Sequence, residues 1–115
     1  MYLVALDFAK DVYRPGLDLV GTPYRYGGVE PDGFDCSGFV TYLYKPHVGS
    51  LPRSSRDQAR YGTAVDRPDL QRGDLVFFAT LGARNGVSHV AVYAGDDTII
   101  HSVSNGPQTG VVVNR

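Results

Sequence analysis

Leu3, Val4, Leu6, Phe8, Ala9, Val12 and Tyr13 recur at helical spacing, and Pro15-Gly16 predicts the end of that helix. Residues 21–35, GTPYRYGGVEPDGFD, read as a loop, because glycine and proline interrupt any apolar period. CSGFVTYLYK follows and suits a helix that starts near Asp35 or Cys36 and stops at Lys45-Pro46. LPRSSRDQARYG is polar and predicts a short helix or turn with Ser54 or Ser55 as its N-cap. After Gly73-Asp74 the period shortens. LVFFAT is an apolar strand, SHVAVYAG alternates, DDTIIHSV answers it across a hairpin turn at Gly95-Asp96-Asp97, and GVVVNR closes as a last strand. Helices first and strands second argue an α+β fold, with N-terminal helices packed on one side of an antiparallel β-sheet.

A chain of 115 residues is long enough for one core and too short for two, so the expectation is one domain over 1–115. The net charge of −1 comes without any run of lysine or arginine, which removes the basic stripe of a nucleic-acid binder. No apolar stretch approaches the roughly 20 residues that span a bilayer. MYLVALDFAK has neither a basic start nor a long apolar centre, so as written it is not a signal peptide. One cysteine cannot form an internal disulfide, and one cysteine with three widely spaced histidines makes a poor structural zinc set.

That cysteine, Cys36, stands at the predicted start of a helix. There the unpaired amides and the positive end of the helix dipole favour the thiolate, the reactive form, and the same amides can stabilise an oxyanion. The glycine-rich approach lets a substrate backbone come close, and Ser37 and Gly38 leave room beside the sulfur. A cysteine kept only for packing needs none of these features. A nucleophilic thiol wants a base. His47 falls in a break between helices and reads as a surface loop residue. His89 and His101 lie six residues to either side of Gly95, so in a hairpin they fall about opposite each other, on one face if no bulge intervenes. Either histidine alone reads as structural. Both together, with the cysteine upstream, point to catalysis: His89 as base and His101 as its orienter, an order the sequence logic does not itself separate.

The segments GTPYRYGG, GFDCSGFV, LPRSSRDQ, RGDLVFF, SHVAVYAG and IIHS, in this order between Gly21 and Ser102, resemble the NlpC-type family of cell-wall cysteine peptidases. The resemblance implies a reduced papain-like fold with the triad Cys36, His89 and His101. It implies hydrolysis of peptidoglycan stem peptides through a thioester, between the side-chain carboxyl of D-glutamate and a diamino acid such as meso-diaminopimelate, with no metal or organic cofactor. By the same resemblance Tyr24 supports the oxyanion, and Asp35, Ser37, Arg53 and Ser88 line the substrate pocket, Asp35 pairing with an ammonium group. A solvated Arg53, or one holding Asp74 or Asp57, is the competing reading of that residue. The implied place of action is the cell wall, with delivery by a larger protein or assembly. Two departures from the family pattern stand out. RPGLDLV falls where relatives continue a helix, and relatives carry a further strand after the last one here, without which a sheet edge would be open. The rival functions are an amidase or acyltransferase using the same Cys–His pair, and a non-catalytic wall-binding or phage-tail module.

Overall fold

The computed structural model describes residues 2–5, 12–47, 51–80, 86–105 and 108–115. Among these, β1 (Tyr2–Ala5), β4 (Thr63–Ala64), β5 (Leu75–Phe78), β6 (His89–Gly95), β7 (Thr98–Val103) and β8 (Gly110–Asn114) form one sheet in the order β4-β1-β5-β6-β7-β8. Every neighbouring pair in it is antiparallel. A small ribbon of β2 (Val29–Glu30) and β3 (Gly33–Phe34) precedes the central helix α2 (Cys36–Tyr44). Two shorter helices, α1 (Tyr13–Asp18) and α3 (Ser55–Gln58), complete the helical layer. Phe39, Val40, Leu43 and Tyr44 of α2 share one core with Leu75, Phe77, Val90, Val92, Ile100 and Val111 of the sheet. No described helix is long and apolar enough to cross a membrane.

The α+β class expected from the order of elements holds, with a correction at the N-terminus. Tyr2–Ala5 is a strand, paired through Tyr2↔Phe77, Leu3↔Val76 and Val4↔Leu75 on one side and Val4↔Ala64 on the other. Leu3 and Val4 are both buried, as expected of an interior strand covered on both faces, and a run that short fits a helical period as well as a continuous apolar strand. Leu6, Phe8 and Ala9 of the predicted helix lie outside the described residues. The helix that does form starts at Tyr13, and Pro15-Gly16 sits inside it rather than at its end. A proline in the first turn removes an N–H that has no intrahelical partner, so the helix loses nothing by it.

The hairpin between β6 and β7 decides where the histidines go. Asp96 and Asp97 both have left-handed backbones, φ 52° and 59°, which makes the turn a two-residue type I′ connection centred between them. Gly95 pairs with Thr98, but Tyr93 pairs with Ile99 and Val92 with Ile100, so β6 absorbs one extra residue. Carried straight on from Gly95↔Thr98, the register would put His89 and His101 on opposite faces of the sheet. The shift at Gly95 restores them to one face, two residues apart along the ladder instead of directly opposite. The simple count from Gly95 thus reaches the correct face by the wrong route: the bulge is required, not forbidden.

Candidate active site

Asp35 starts α2. Its backbone is extended, and its Oδ1 accepts from the Gly38 amide at 2.7 Å, so the helix begins with Cys36 in its first turn. Gly38 meets the neighbouring loop so closely that a Cβ there would fall 1.9 Å from the Gly28 carbonyl oxygen; only glycine lets the GTPYRYGG loop lie against the helix that Cys36 begins. The other oxygen of Asp35, Oδ2, accepts from the Gly27 amide at 3.1 Å and from Arg53 Nη2 at 2.8 Å. Arg53 Nη1 reaches Ser37 Oγ at 2.7 Å. Arg53 therefore grips both residues that flank Cys36, and its partner is Asp35, not Asp74 or Asp57. The pair is asymmetric, with side-chain exposures of 45% for Arg53 and 15% for Asp35. Gln58, fully buried at the end of α3, braces the same turn: its Nε2 shares its two hydrogens among the Pro52 carbonyl at 2.8 Å, Thr41 Oγ1 at 3.1 Å and the Ser37 carbonyl at 3.2 Å.

Cys36 is half-buried, packed against the core. Burial pushes its thiol pKa up, the Val90 amide at the sulfur pulls the other way, and the Asp35 carboxylate raises it further. The helix start was expected to favour the thiolate; here desolvation outweighs the amides of Val90, Ser37 and Cys36 itself. Val90 follows His89 directly, so the contact between the sulfur and the Val90 amide brings α2 and the start of β6 together. Burial, and secondarily His101, lowers the His89 pKa to about 4; burial also lowers that of His101. Both rings are neutral at pH 7. His89 packs near the Phe78 ring, centroids 6.0 Å apart, and its Nε2 lies 2.7 Å from His101 Nδ1. His101 Nε2 lies 2.8 Å from Asn114 Oδ1.

Tyr24 bridges to Phe34 and is near enough to Asp35 and Cys36 that their charges, after burial, raise its pKa; its hydroxyl is therefore a donor at neutral pH. Ser88 precedes His89 directly. Its hydroxyl takes a hydrogen bond from the Thr80 amide at 2.9 Å and meets Thr80 Oγ1 at 2.6 Å, tying the approach to β6 onto the end of β5. His47 lies in the turn after α2, its amide bonded to the Tyr44 carbonyl, past the opposite end of the nine-residue helix that Cys36 begins. Two residues of the site escaped the sequence reading. Asn114 carried only a weak signal, a polar residue ending an apolar strand. Gln58 lies in a polar segment whose pattern predicts only a short helix or turn.

The model of the NlpC/P60 family matches residues 21–114. The chain belongs to the NlpC/P60 family. It is 47% identical over 94 residues to the gamma-D-glutamyl-L-lysine dipeptidyl-peptidase of Bacillus cereus, covering 82% of this chain and 28% of that protein. It is 47% identical over 83 residues to the probable endopeptidase NlpC of Escherichia coli, covering 71% and 53%. The crystal structure of the NlpC/p60 domain of the peptidoglycan hydrolase SagA superposes with a TM-score of 0.77 at 33% identity, covering 92% of this chain and 87% of that one. This NlpC/P60 chain spans between about a quarter and a half of the length of these two curated relatives. Its α+β architecture is the papain-like one of its structural neighbours.

Proposed function

We propose that this single domain is a cysteine peptidase acting on peptidoglycan stem peptides at the cell wall, where it hydrolyses the amide between the γ-carboxyl of D-glutamate and a diamino acid. The observation that carries the reading is the relay of His89, His101 and Asn114, with the Val90 amide next to His89 at the sulfur of Cys36, in a chain of this family. The names of relatives favour a γ-D-glutamyl bond, and one of them specifies L-lysine as the diamino acid, so lysine stands beside meso-diaminopimelate as the residue after the cut.

The chemistry follows from neutral partners. The free ring nitrogen of His89 takes the thiol proton as the sulfur attacks the carbonyl carbon. The new charge falls on the carbonyl oxygen, within reach of the α2 amides and the Tyr24 hydroxyl. The His89 imidazolium, steadied by His101, then protonates the departing amine as the C–N bond breaks, leaving a thioester on Cys36. Water, deprotonated by His89, attacks the thioester; the C–S bond breaks, the thiol regains its proton and the glutamyl carboxylate leaves. In this reading Asp35 and Ser88 border the substrate, and the Asp35–Arg53 pair presents one carboxylate edge to the peptide's free amine while Ser37 and Arg53 fix that edge in place.

The test is digestion of L-Ala–γ-D-Glu–meso-diaminopimelate and its L-lysine counterpart, with products weighed by mass spectrometry beside the Cys36→Ala protein. Cleavage after glutamate in either peptide, lost in the variant, is the expected result. Intact peptides with a thiol that still alkylates rapidly would replace the stem peptide with another acyl donor. An inert thiol would replace the enzyme with a binding module.

A further inference from the structure

The structure assigns Asn114 as a positioning residue: by accepting a hydrogen bond from His101 Nε2–H it fixes the tautomers of both histidines and keeps His89 Nδ1 free of a proton. A side-chain amide oxygen can only accept, so at 2.8 Å from Asn114 Oδ1 the His101 Nε2 must carry the hydrogen. A neutral imidazole has one N–H. His101 Nδ1 therefore holds a lone pair, and the 2.7 Å contact with His89 Nε2 takes its hydrogen from His89. His89 has then used its only N–H, and its Nδ1 is the bare nitrogen left for the thiol.

The reversed amide would run the relay backwards. Asn114 would donate to His101 Nε2, His101 Nδ1–H would donate to His89 Nε2, and His89 would carry its proton on Nδ1, where a base needs none. The orientation of one amide on the edge strand β8 thus decides whether a half-buried ring on β6 can act as a base. A neutral acceptor suits this task. A carboxylate in its place would fix the same tautomer but hold the rings as imidazolium to higher pH, against the burial that keeps them neutral. Among the described residues, the ionisable groups in contact at the relay are His89 on β6 and His101 on β7; Cys36 on α2 meets the Val90 amide next to them, with the Asp35 carboxylate and the Tyr24 hydroxyl acting on the same thiol.

The kinetic consequence rests on the peptidase reading above; the tautomers do not. Nitrogen-15 long-range NMR of the wild-type protein at pH 7 should show both rings protonated at Nε2. A His89 protonated at Nδ1 overturns the inference, whatever the enzyme cleaves. In kinetics, Asn114→Ala should lower kcat by about tenfold or more with KM within twofold. Asn114→Asp should recover kcat on the alkaline side while its acid limb moves up by about one pH unit. Wild-type kcat and pH profile in Asn114→Ala, or no recovery in Asn114→Asp at any pH, would sink the assignment. A wild-type protein that cleaves neither stem peptide would instead remove the peptidase reading, and the spectrum would still decide the tautomers.

Discussion

Burial acts on Cys36 and His89 in ways that keep both uncharged, raising the thiol pKa and lowering that of the imidazole. At rest the proton stays on sulfur, and in the peptidase proposed above the ion pair forms only when a substrate carbonyl is there to receive the negative charge. The same desolvation makes the fold sensitive to acid. The His89 pKa is about 4 in the folded chain against 6.5 unfolded, so between these values the unfolded state binds more protons and stability rises with pH. The contribution is whole above pH 6.5 and is lost as pH falls through 4, a swing of roughly 3 kcal/mol at the limit. Urea unfolding at pH 7 and pH 4, in wild type and in His89→Gln, isolates it from the carboxylates that titrate over the same range. The variant should lose a clear part of the pH dependence; curves that stay parallel would mean His89 is protonated as easily in the fold as outside it.

The hairpin of β6 and β7 sets the His89–His101 pairing through its backbone alone. Gly95 has φ 84°, and a Cβ there would meet Arg72 Nε at 2.7 Å, displacing a guanidinium that donates to the Ala94 carbonyl and lies over the Tyr13 ring. Gly95→Ala therefore meets both backbone strain and a clash, about 1–3 kcal/mol together. Since the register shift at Gly95 brings His89 and His101 to one face, the variant should also lose kcat beyond what its folded fraction explains. Asp97→Gly, at the left-handed turn position preferred by glycine, should leave kcat unchanged and stability equal or higher. Thermal melts with kinetics on the folded fraction check both. A Gly95→Ala enzyme that loses stability alone would separate the bulge from the chemistry.

Across the whole molecule, legibility followed the range of the interaction. Asp35 as N-cap, Ser54 as N-cap and the turn before Thr98 are local, and the residues that carry them name them in the sequence. The fork of Arg53 over Asp35 and Ser37, the brace from Gln58 and the contact of His101 with Asn114 join segments that no local pattern links. β1 was lost for the same reason: four residues acquire a strand's identity only from β5 and β4 on either side. Its position in the sheet also separates stability from activity. The order β4-β1-β5-β6-β7-β8 keeps β1 two strands away from His89 and further from His101 and Asn114. Val4, with no exposed surface, packs in the core with Leu75 and Phe77. Val4→Ala should therefore cost about 2 kcal/mol in denaturant unfolding while kcat on the stem peptide stays within twofold at a temperature where the protein is folded. Because β1 covers the edge that β5 would otherwise present, the destabilised variant should also associate as it is warmed, visible by light scattering before the main transition. Unchanged stability would mean that β1 contributes little to the sheet, and a fall in kcat without unfolding would mean that the two ends of the sheet are coupled through β5 and β6.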